Sequence, residues 1–456
     1  MKRTLLTPAL AVLAATATTA ALTLAGGPSA GAAPAKVKAH PIKVHPDARK
    51  VADVPHAATF SCQTVPIDGS QGARCYSPAE IQTAYGVAPL LATGRDGTGR
   101  TIVIIDAYQN PYIADDLTTF DESFELAAPP SFTNVVMPGT PKFDKRDPNQ
   151  VSWAEESTLD VEWAHAIAPG ARIVLVSAKS SEDTDILSAT QLAVDQNLGD
   201  VISQSFGEND TCVDPQLLSQ QHAMFQQAVA EGITPIASSG DSGAAQFNCG
   251  ATAATLAASS PASDTLVTGV GGTTLDADNT GSYVGETAWT EPLFGCNPPA
   301  VDAGDINCSG GGLSATVARP SFQNGLVKGS GRGVPDVAYN AGVNGGVLTV
   351  CSVCNKGKPA FFLFGGTSAG TPQWSAITAI GDQIAGHRLG SLNPALYGVA
   401  GAAQRSGALH DITTGNNDVV ELDGFGYSAG RSWDPVTGLG TPNAAKLLPM
   451  LIGAAG

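Results

Sequence analysis

One octapeptide constrains this chain more than any other feature: Gly365-Gly366-Thr367-Ser368-Ala369-Gly370-Thr371-Pro372. The run before it, Phe361-Phe362-Leu363-Phe364, is short, aromatic and apolar, which predicts a buried strand. The run after it, Trp374-Ser375-Ala376-Ile377-Thr378-Ala379-Ile380, predicts an apolar helix with Pro372 in its first turn, where proline is tolerated. A serine at such a junction sits on a glycine-bent backbone at a helix N-terminus. Its Oγ can be exposed there, with N–H groups pointing toward developing negative charge. An isolated Gly-Thr-Ser is more often a plain helix cap, so what decides is whether the chain also supplies a base.

The base is not a histidine. The segment Trp153–Ile167, WAEESTLDVEWAHAI, lacks internal proline and glycine and has a helical period. At roughly 100° per residue, Trp153, Leu159, Trp163, Ala164 and Ile167 fall on one arc centred near Glu156. Asp160, one turn on, shares that arc. Glu155, Glu162 and His165 fall outside it, on the face expected to meet solvent. Two carboxyls in contact cannot both ionise cheaply, so they share a proton and can take one from a serine hydroxyl in acid. A third carboxylate, Asp241, lies in Ser238-Ser239-Gly240-Asp241-Ser242-Gly243 after the strand-like Gly232–Ala237. Loops at strand C-termini are where open α/β sheets bind ligands. An aspartate there is usually a turn residue, but a protonated one can donate to an oxyanion.

Strand-like runs (Thr101–Ile105, Arg172–Val176, Asp200–Ser203, Gly232–Ala237, Leu266–Val270) alternate with helical ones. That order predicts an α/β fold: a parallel sheet with helices on both faces.

With these motifs the chain resembles the sedolisins, serine-carboxyl peptidases that share the subtilisin fold and replace its histidine with a glutamate. The family pattern is Glu-x-x-x-Asp on a helix, Ser-Gly-Asp after a central strand, and Gly-Thr-Ser-Ala near the C-terminus. All three occur here in that order, and the match runs from about Tyr76 to the end. The resemblance implies Glu156 as general base, Asp160 as its orienting partner, Ser368 as nucleophile and Asp241 in the oxyanion hole. It implies a substrate-lining strand at Ser203-Gln204-Ser205-Phe206-Gly207, with Ser239 and Gly240 beside it. It also implies one structural Ca²⁺ in a C-terminal loop, a hard cation bound by oxygen ligands. The carboxylates would be Asp411 and Asp434, and the carbonyls those of Ile412, Gly430 and Ser432. Ser432 stands where the family more often has glycine.

Hydrophobic residues at 43%, charged residues at 14% and 52 glycines among 456 residues describe a globular, loop-rich chain. The first 50 residues hold seven Lys/Arg and one acid, and the remainder carries a formal charge of −23. That acidity argues against nucleic acid as a partner and suits acid surroundings. Lys2-Arg3, the apolar run Leu5–Leu24 and Ala30-Gly31-Ala32 predict a secretory signal peptide over residues 1–32. No later run reaches about 18 apolar residues, so no membrane anchor is expected after cleavage. Residues 33–75 are expected to be a short leader passing into a first cysteine loop, and 76–456 the peptidase domain. Sedolisins typically carry a large folded propeptide, for which this layout leaves no room. A secreted monomer acting on proteins or peptides is expected.

The eight cysteines are Cys62, Cys75, Cys212, Cys249, Cys296, Cys308, Cys351 and Cys354. An even count in an exported chain implies disulfides, with connectivity open. Nearest neighbours each span a loop-like stretch, and Cys351-x-x-Cys354 is read as a small structural loop over a redox pair or half a zinc site. Two alternatives compete with the serine-carboxyl peptidase. A Ser-His-Asp subtilisin would use Asp106, at the end of Thr101–Asp106, but no histidine has the motif context it needs. A catalytically silent binding protein would be expected to have lost one of Glu156, Asp160, Asp241 or Ser368, and all four are present.

Overall fold

The run Thr101–Ala107 is buried at all seven positions, as a strand covered on both faces must be. Around it a computed structural model describes residues 37–44, 46, 48–54, 59–250, 252–291, 307–419 and 424–455. The chain divides into a short N-terminal unit, Met1–Val37, and the unit Lys38–Gly456 that carries every element below. The expected signal peptide lies outside the described residues.

The strands that matter here are β1 (Ala48–Asp53), β2 (Thr101–Ala107), β3 (Phe132–Val136), β4 (Arg172–Ala178), β5 (Val201–Gln204), β6 (Thr234–Ser238), β7 (Thr268–Ala277), β8 (Tyr283–Ala288), β9 (Val337–Asn340), β10 (Gly346–Val350) and β11 (Ala360–Phe364). The helices are α1 (Ile113–Phe124), α2 (Pro148–Ile167), α3 (Asp183–Asp195), α4 (Pro215–Ala230) and α5 (Thr367–Ala385). The main sheet runs β8-β7-β6-β5-β2-β4-β3, with β9 also paired to β7. Every pairing in it is parallel except that of β8 with β7. From β2 the chain runs to β3 at the edge, comes back to place β4 between them, and then lays β5 on the other side of β2. The strand order therefore reverses at β2, and such a switch point opens a crevice at the strands' C-terminal ends.

Alternation along β2 sends its side chains into two cores. Ile102 and Ile104 join Leu159, Trp163 and Ile377 beneath α2 and α5. Val103 and Ile105 join Ile186 and Phe225 beneath α3 and α4. The predicted parallel sheet with helices on both faces is thus observed.

Three expectations change. Glu162 and His165 do not meet solvent: both are fully buried, because α1 and β10 cover that side of α2. Glu162 accepts from the Val350 N–H at 2.9 Å, and His165 Nε2 lies 3.1 Å from Asp121. Helix α5 begins at Thr367, so Pro372 lies inside it rather than in its first turn. The stretch expected as a leader is bound into the fold: β1 pairs antiparallel with β11, and Ile42 and Val44 are buried.

Disulfides join Cys62–Cys75, Cys212–Cys249 and Cys351–Cys354, all nearest neighbours. Cys308 is disulfide-bonded as well, and Cys296 lies outside the described residues. Among the described residues, no helix is long and apolar enough to cross a membrane.

Candidate active site

Helix α2 brings two carboxyls to the crevice. Its start is fixed by Asp147, whose side chain accepts from the Asn149 N–H, and by Pro148 at the first helical position. One face then carries Glu156 and, one turn later, Asp160, and both are buried. Ser368 lies near enough to Glu156 to pull its carboxyl down, against burial. Asp160 Oδ1 accepts the Ser205 hydroxyl at 2.8 Å.

Ser368 is the second residue of α5, after Gly366, whose φ of +90° and ψ of 160° turn β11 into the helix. The Ser368 hydroxyl also lies 3.3 Å from the Ser205 carbonyl. Pro372 has no N–H to offer the carbonyl of Ser368 four residues back. That carbonyl takes the Ser205 hydroxyl instead, at 3.4 Å. Ser205 therefore links the nucleophile's backbone to Asp160.

Asp241 reaches the same helix start from the loop after β6. Its Oδ1 accepts the Thr367 N–H at 2.7 Å and the Thr367 hydroxyl at 2.6 Å. Gly366 is required twice here. Its φ favours glycine, and an added Cβ would sit 2.9 Å from Asp241 Oδ2.

A third carboxyl joins Glu156 and Asp160. Asp106, at the C-terminal end of β2, is buried, and neither of its oxygens has a hydrogen-bond partner. Burial pushes Asp106 up to about 8. Burial also raises Glu156, with further upward pushes from Asp106 and Asp241, against a downward pull from Ser368. Asp160 is raised by burial first and then by Asp106 and Glu156. No lysine, arginine or histidine pairs with any of the three among the described residues. A cluster of buried acids without a cation holds protons and ionises in steps. The sequence had pointed to Asp106 only for the histidine alternative. Its signal was one acid ending an otherwise apolar strand.

The expected substrate-lining residues divide. Ser203 is fully buried, with no partner for its hydroxyl. Ser205 belongs to the carboxyl network. Phe206 packs on Trp153 with ring centroids 5.8 Å apart. Gly207 abuts Ser259, whose Oγ would meet an added Cβ. Ser239 is buried and donates to the Gly310 carbonyl at 2.6 Å. Gly240 donates its N–H to Thr367 Oγ1 at 3.2 Å.

The expected metal loop brings its two aspartates to one turn. Asp411 Oδ2 accepts the Ser432 N–H at 3.1 Å. Asp434 accepts the N–H groups of Gly430 at 3.1 Å and of Val436 and Thr437 at 2.8 Å. Ser432 has φ +70°, the left-handed conformation that glycine would adopt at less cost. Burial raises both carboxyls, Asp434 to about 6. Two desolvated carboxylates on one tight turn, with the carbonyls of Ile412, Gly430 and Ser432 in the same loops, are an oxygen donor set of the kind a hard cation takes. Among the described residues, however, no group of three His, Cys, Asp or Glu side chains could hold a metal ion.

A family profile described as the subtilase family matches residues 149–394. Kumamolisin of Bacillus sp. (strain MN-32) is 33% identical over 390 residues, covering 83% of this chain and 64% of that protein. Sedolisin of Pseudomonas sp. (strain 101) is 29% identical over 382 residues, covering 82% and 61%. The chain thus spans less than two thirds of the length of these relatives. Among solved structures, Pseudomonas sedolisin, a serine-carboxyl proteinase complexed with two molecules of pseudo-iodotyrostatin, superposes with a TM-score of 0.69 at 27% identity. That match covers 83% of this chain and 98% of that one.

Proposed function

The chain belongs to the subtilase family, in its sedolisin branch, and we propose that it is a secreted, acid-active serine-carboxyl peptidase. The observation that carries this is the convergence on Ser368, in the first turn of α5, of the buried Asp160 through the Ser205 hydroxyl and of the buried Glu156, whose carboxyl Ser368 pulls downward. With Glu156 ionised and the shared proton on Asp160, Glu156 takes the Ser368 proton as Oγ attacks a peptide carbonyl. Asp241, protonated, and the N–H groups at the start of α5 hold the oxyanion. The C–N bond then breaks, and Glu156 returns its proton to the leaving amine. A water deprotonated by Glu156 hydrolyses the acyl-enzyme and restores the serine. Among the described residues no histidine is hydrogen-bonded to Ser368, and His165 is turned to Asp121 and the Ala127 carbonyl instead.

Phe206, Gly207 and Gly240 would flank the substrate backbone, with Ser203 and Ser239 supporting those strands. One Ca²⁺ would be held by Asp411, Asp434 and the carbonyls of Ile412, Gly430 and Ser432, securing the C-terminal loops. The substrates would be proteins or peptides and the working form a monomer. Export would rest on residues 1–32 and agrees with the disulfides. Ser368→Ala tests the assignment. The folded variant, with unchanged circular dichroism and Tm, should lose cleavage of an unstructured peptide at pH 4 that the parent chain performs. Undiminished cleavage would remove Ser368 from the chemistry.

A further inference from the structure

We propose that Asn417 is a positioning residue for Asp241, acting from a distant hairpin, an inference that rests on the peptidase reading above. Asp241 lies in residues 239–244, between β6 and the short strand Ala245–Phe247. Apart from one bridge of Ser242 to Cys308, that stretch belongs to no helix or strand. The segment 308–311 runs beside it as a template. The Cys308 N–H donates to the Asp241 carbonyl at 3.1 Å, the Gly310 N–H to the Gly240 carbonyl at 2.7 Å and the Gly311 N–H to the Gly243 carbonyl at 3.2 Å. In return the Ser239 hydroxyl donates to the Gly310 carbonyl at 2.6 Å. The two backbones touch: a Cβ added to Gly310 would stand 2.4 Å from the Ser239 carbonyl oxygen and 2.5 Å from that of Gly240. Close-packed groups transmit displacement, so a shift of the template is passed on to Asp241.

Ser309 sets where the template lies. It is fully buried, and each of its polar groups has a partner. Its N–H donates to the Trp289 carbonyl at 3.0 Å. Its hydroxyl donates to the Val436 carbonyl and accepts the Gly272 N–H at 2.8 Å. Its carbonyl accepts from Asn417 Nδ2 at 3.1 Å. Asn417, also fully buried, grips the loop of Asp241 a second time, because the Ala244 N–H donates to the Asn417 carbonyl at 3.1 Å. Its own pose is fixed by Tyr427: the Asn417 N–H donates to the Tyr427 carbonyl and the Tyr427 N–H to Asn417 Oδ1, both at 2.9 Å. One side chain and its own carbonyl thus brace Asp241 both through the template and directly.

What Asp241 offers an oxyanion depends on where this loop puts it. Removing such a donor outright costs about 10²–10³ in kcat, and misplacing a catalytic group by about 1 Å can cost about 10². The seat of residue 417 asks for a donor to Ser309 and an acceptor from Tyr427 at once. An asparagine amide supplies both, and so does a protonated aspartic acid with its O–H and its second oxygen. Alanine supplies neither, and glutamine carries the same groups one methylene out of place.

The test compares parent, Asn417→Ala and Asn417→Asp at pH 4, where burial keeps an introduced carboxyl neutral. Kinetics on an unstructured peptide use the active chains. Hydrogen exchange uses chains carrying Ser368→Ala and reads the Thr367 amide, which donates to Asp241 Oδ1 at 2.7 Å. Asn417→Ala should speed Thr367 exchange and lower kcat, each by about tenfold or more, with KM within about twofold. Asn417→Asp should match the parent in both. A lower Tm with Thr367 exchange and kcat unchanged would make Asn417 a merely structural residue and overturn the proposal. A fall in kcat with unchanged Thr367 exchange would overturn it too, as would equal losses in the alanine and aspartate variants. If no chain cleaves peptide, yet Thr367 exchange rises in Asn417→Ala and not in Asn417→Asp, the positioning stands and the peptidase reading falls. Should Asn417→Ala fail to fold, Asn417→Gln takes its place with the same expected and overturning results.

Discussion

Replacing Asp106 by asparagine separates the cost of burying an acid from its shape. Burial holds Asp106 at about 8, against an ordinary 3.8. A carboxyl whose folded pKa is raised stabilises the fold below its unfolded pKa and loses that contribution as pH climbs toward the folded value. Between pH 4 and pH 7 the folded chain keeps a proton on Asp106 that the unfolded chain has released. Stability therefore falls with rising pH, at about 1.4 kcal/mol per pH unit for this one group. Across the window the loss is about 4 kcal/mol, a large share of the roughly 5–15 kcal/mol that holds a domain folded. Asparagine keeps the volume and cannot ionise. The Asp106→Asn chain should thus lose about 4 kcal/mol less than the parent on going from pH 4 to pH 7. Urea unfolding at both pH values reads this directly, with Ser368→Ala in both chains to prevent self-digestion. Equal losses in parent and variant would refute the reasoning, since Asp106 would then ionise in the fold as it does in water.

Three further outcomes follow from the same geometry. Ser368→Ala should cut kcat by roughly 10⁴-fold or more, because the remaining groups cannot substitute for the attacking oxygen; burst kinetics with a chromogenic ester would check the missing acyl-enzyme. Peptide kcat/KM should be highest in acid and fall as pH rises, since burial raises Glu156 and Asp160 and their shared proton is lost on the alkaline side. A profile climbing from pH 5 to a plateau at pH 8 would indicate a histidine base, and Asp241→Asn, a donor at every pH, should flatten the fall at some cost in rate. Calcium removal by a chelator, or Asp411→Ala, should lower Tm by several degrees through loss of an ion that binds only the folded state. An unchanged Tm in excess chelator, with no calcium by elemental analysis, would remove the site.

The sheet was legible because its strands are continuous apolar runs bounded by polar turns. Thr101–Ile105 and Arg172–Val176 needed only two residues added at their ends. The strand-to-helix turn at Gly365-Gly366 was legible for the same reason, since only glycine adopts φ +90° there without strain. What sequence could not give was the covering of α2. A helical wheel assumes that the face opposite the apolar arc meets water, but from Glu156 to Ile167 α2 is enclosed on every side. Its last turns bury Glu162 and His165 because partners distant in sequence, Val350 and Asp121, supply their hydrogen bonds. The binding of the N-terminal segment was equally hidden. Proline, lysine and histidine before Ala48 read as linker composition, yet β1 pairs with β11 and Ile42 is buried.

Perturbed carboxyls alone do not mark the working site of this chain. A second group of buried acids lies toward the covered side of α2, where burial raises Glu162 and pushes Asp116 up to about 6. Asp116 there accepts the Ser352 N–H at 2.9 Å and also the Ser352 hydroxyl. These bonds tie α1 to the turn closed by Cys351–Cys354, and the Glu162 bond to Val350 ties α2 to the strand before it, which explains the acids by packing. Unpartnered oxygens do not separate the groups either, since Glu162 Oε1 lacks a partner just as Glu156, Asp160 and Asp106 each leave at least one oxygen without one. Glu156, Asp160 and Asp106 differ in place. They converge on a crevice at the sheet's switch point and on one serine at a helix start. That convergence, more than any shift in pKa, separates the two acid groups of α2.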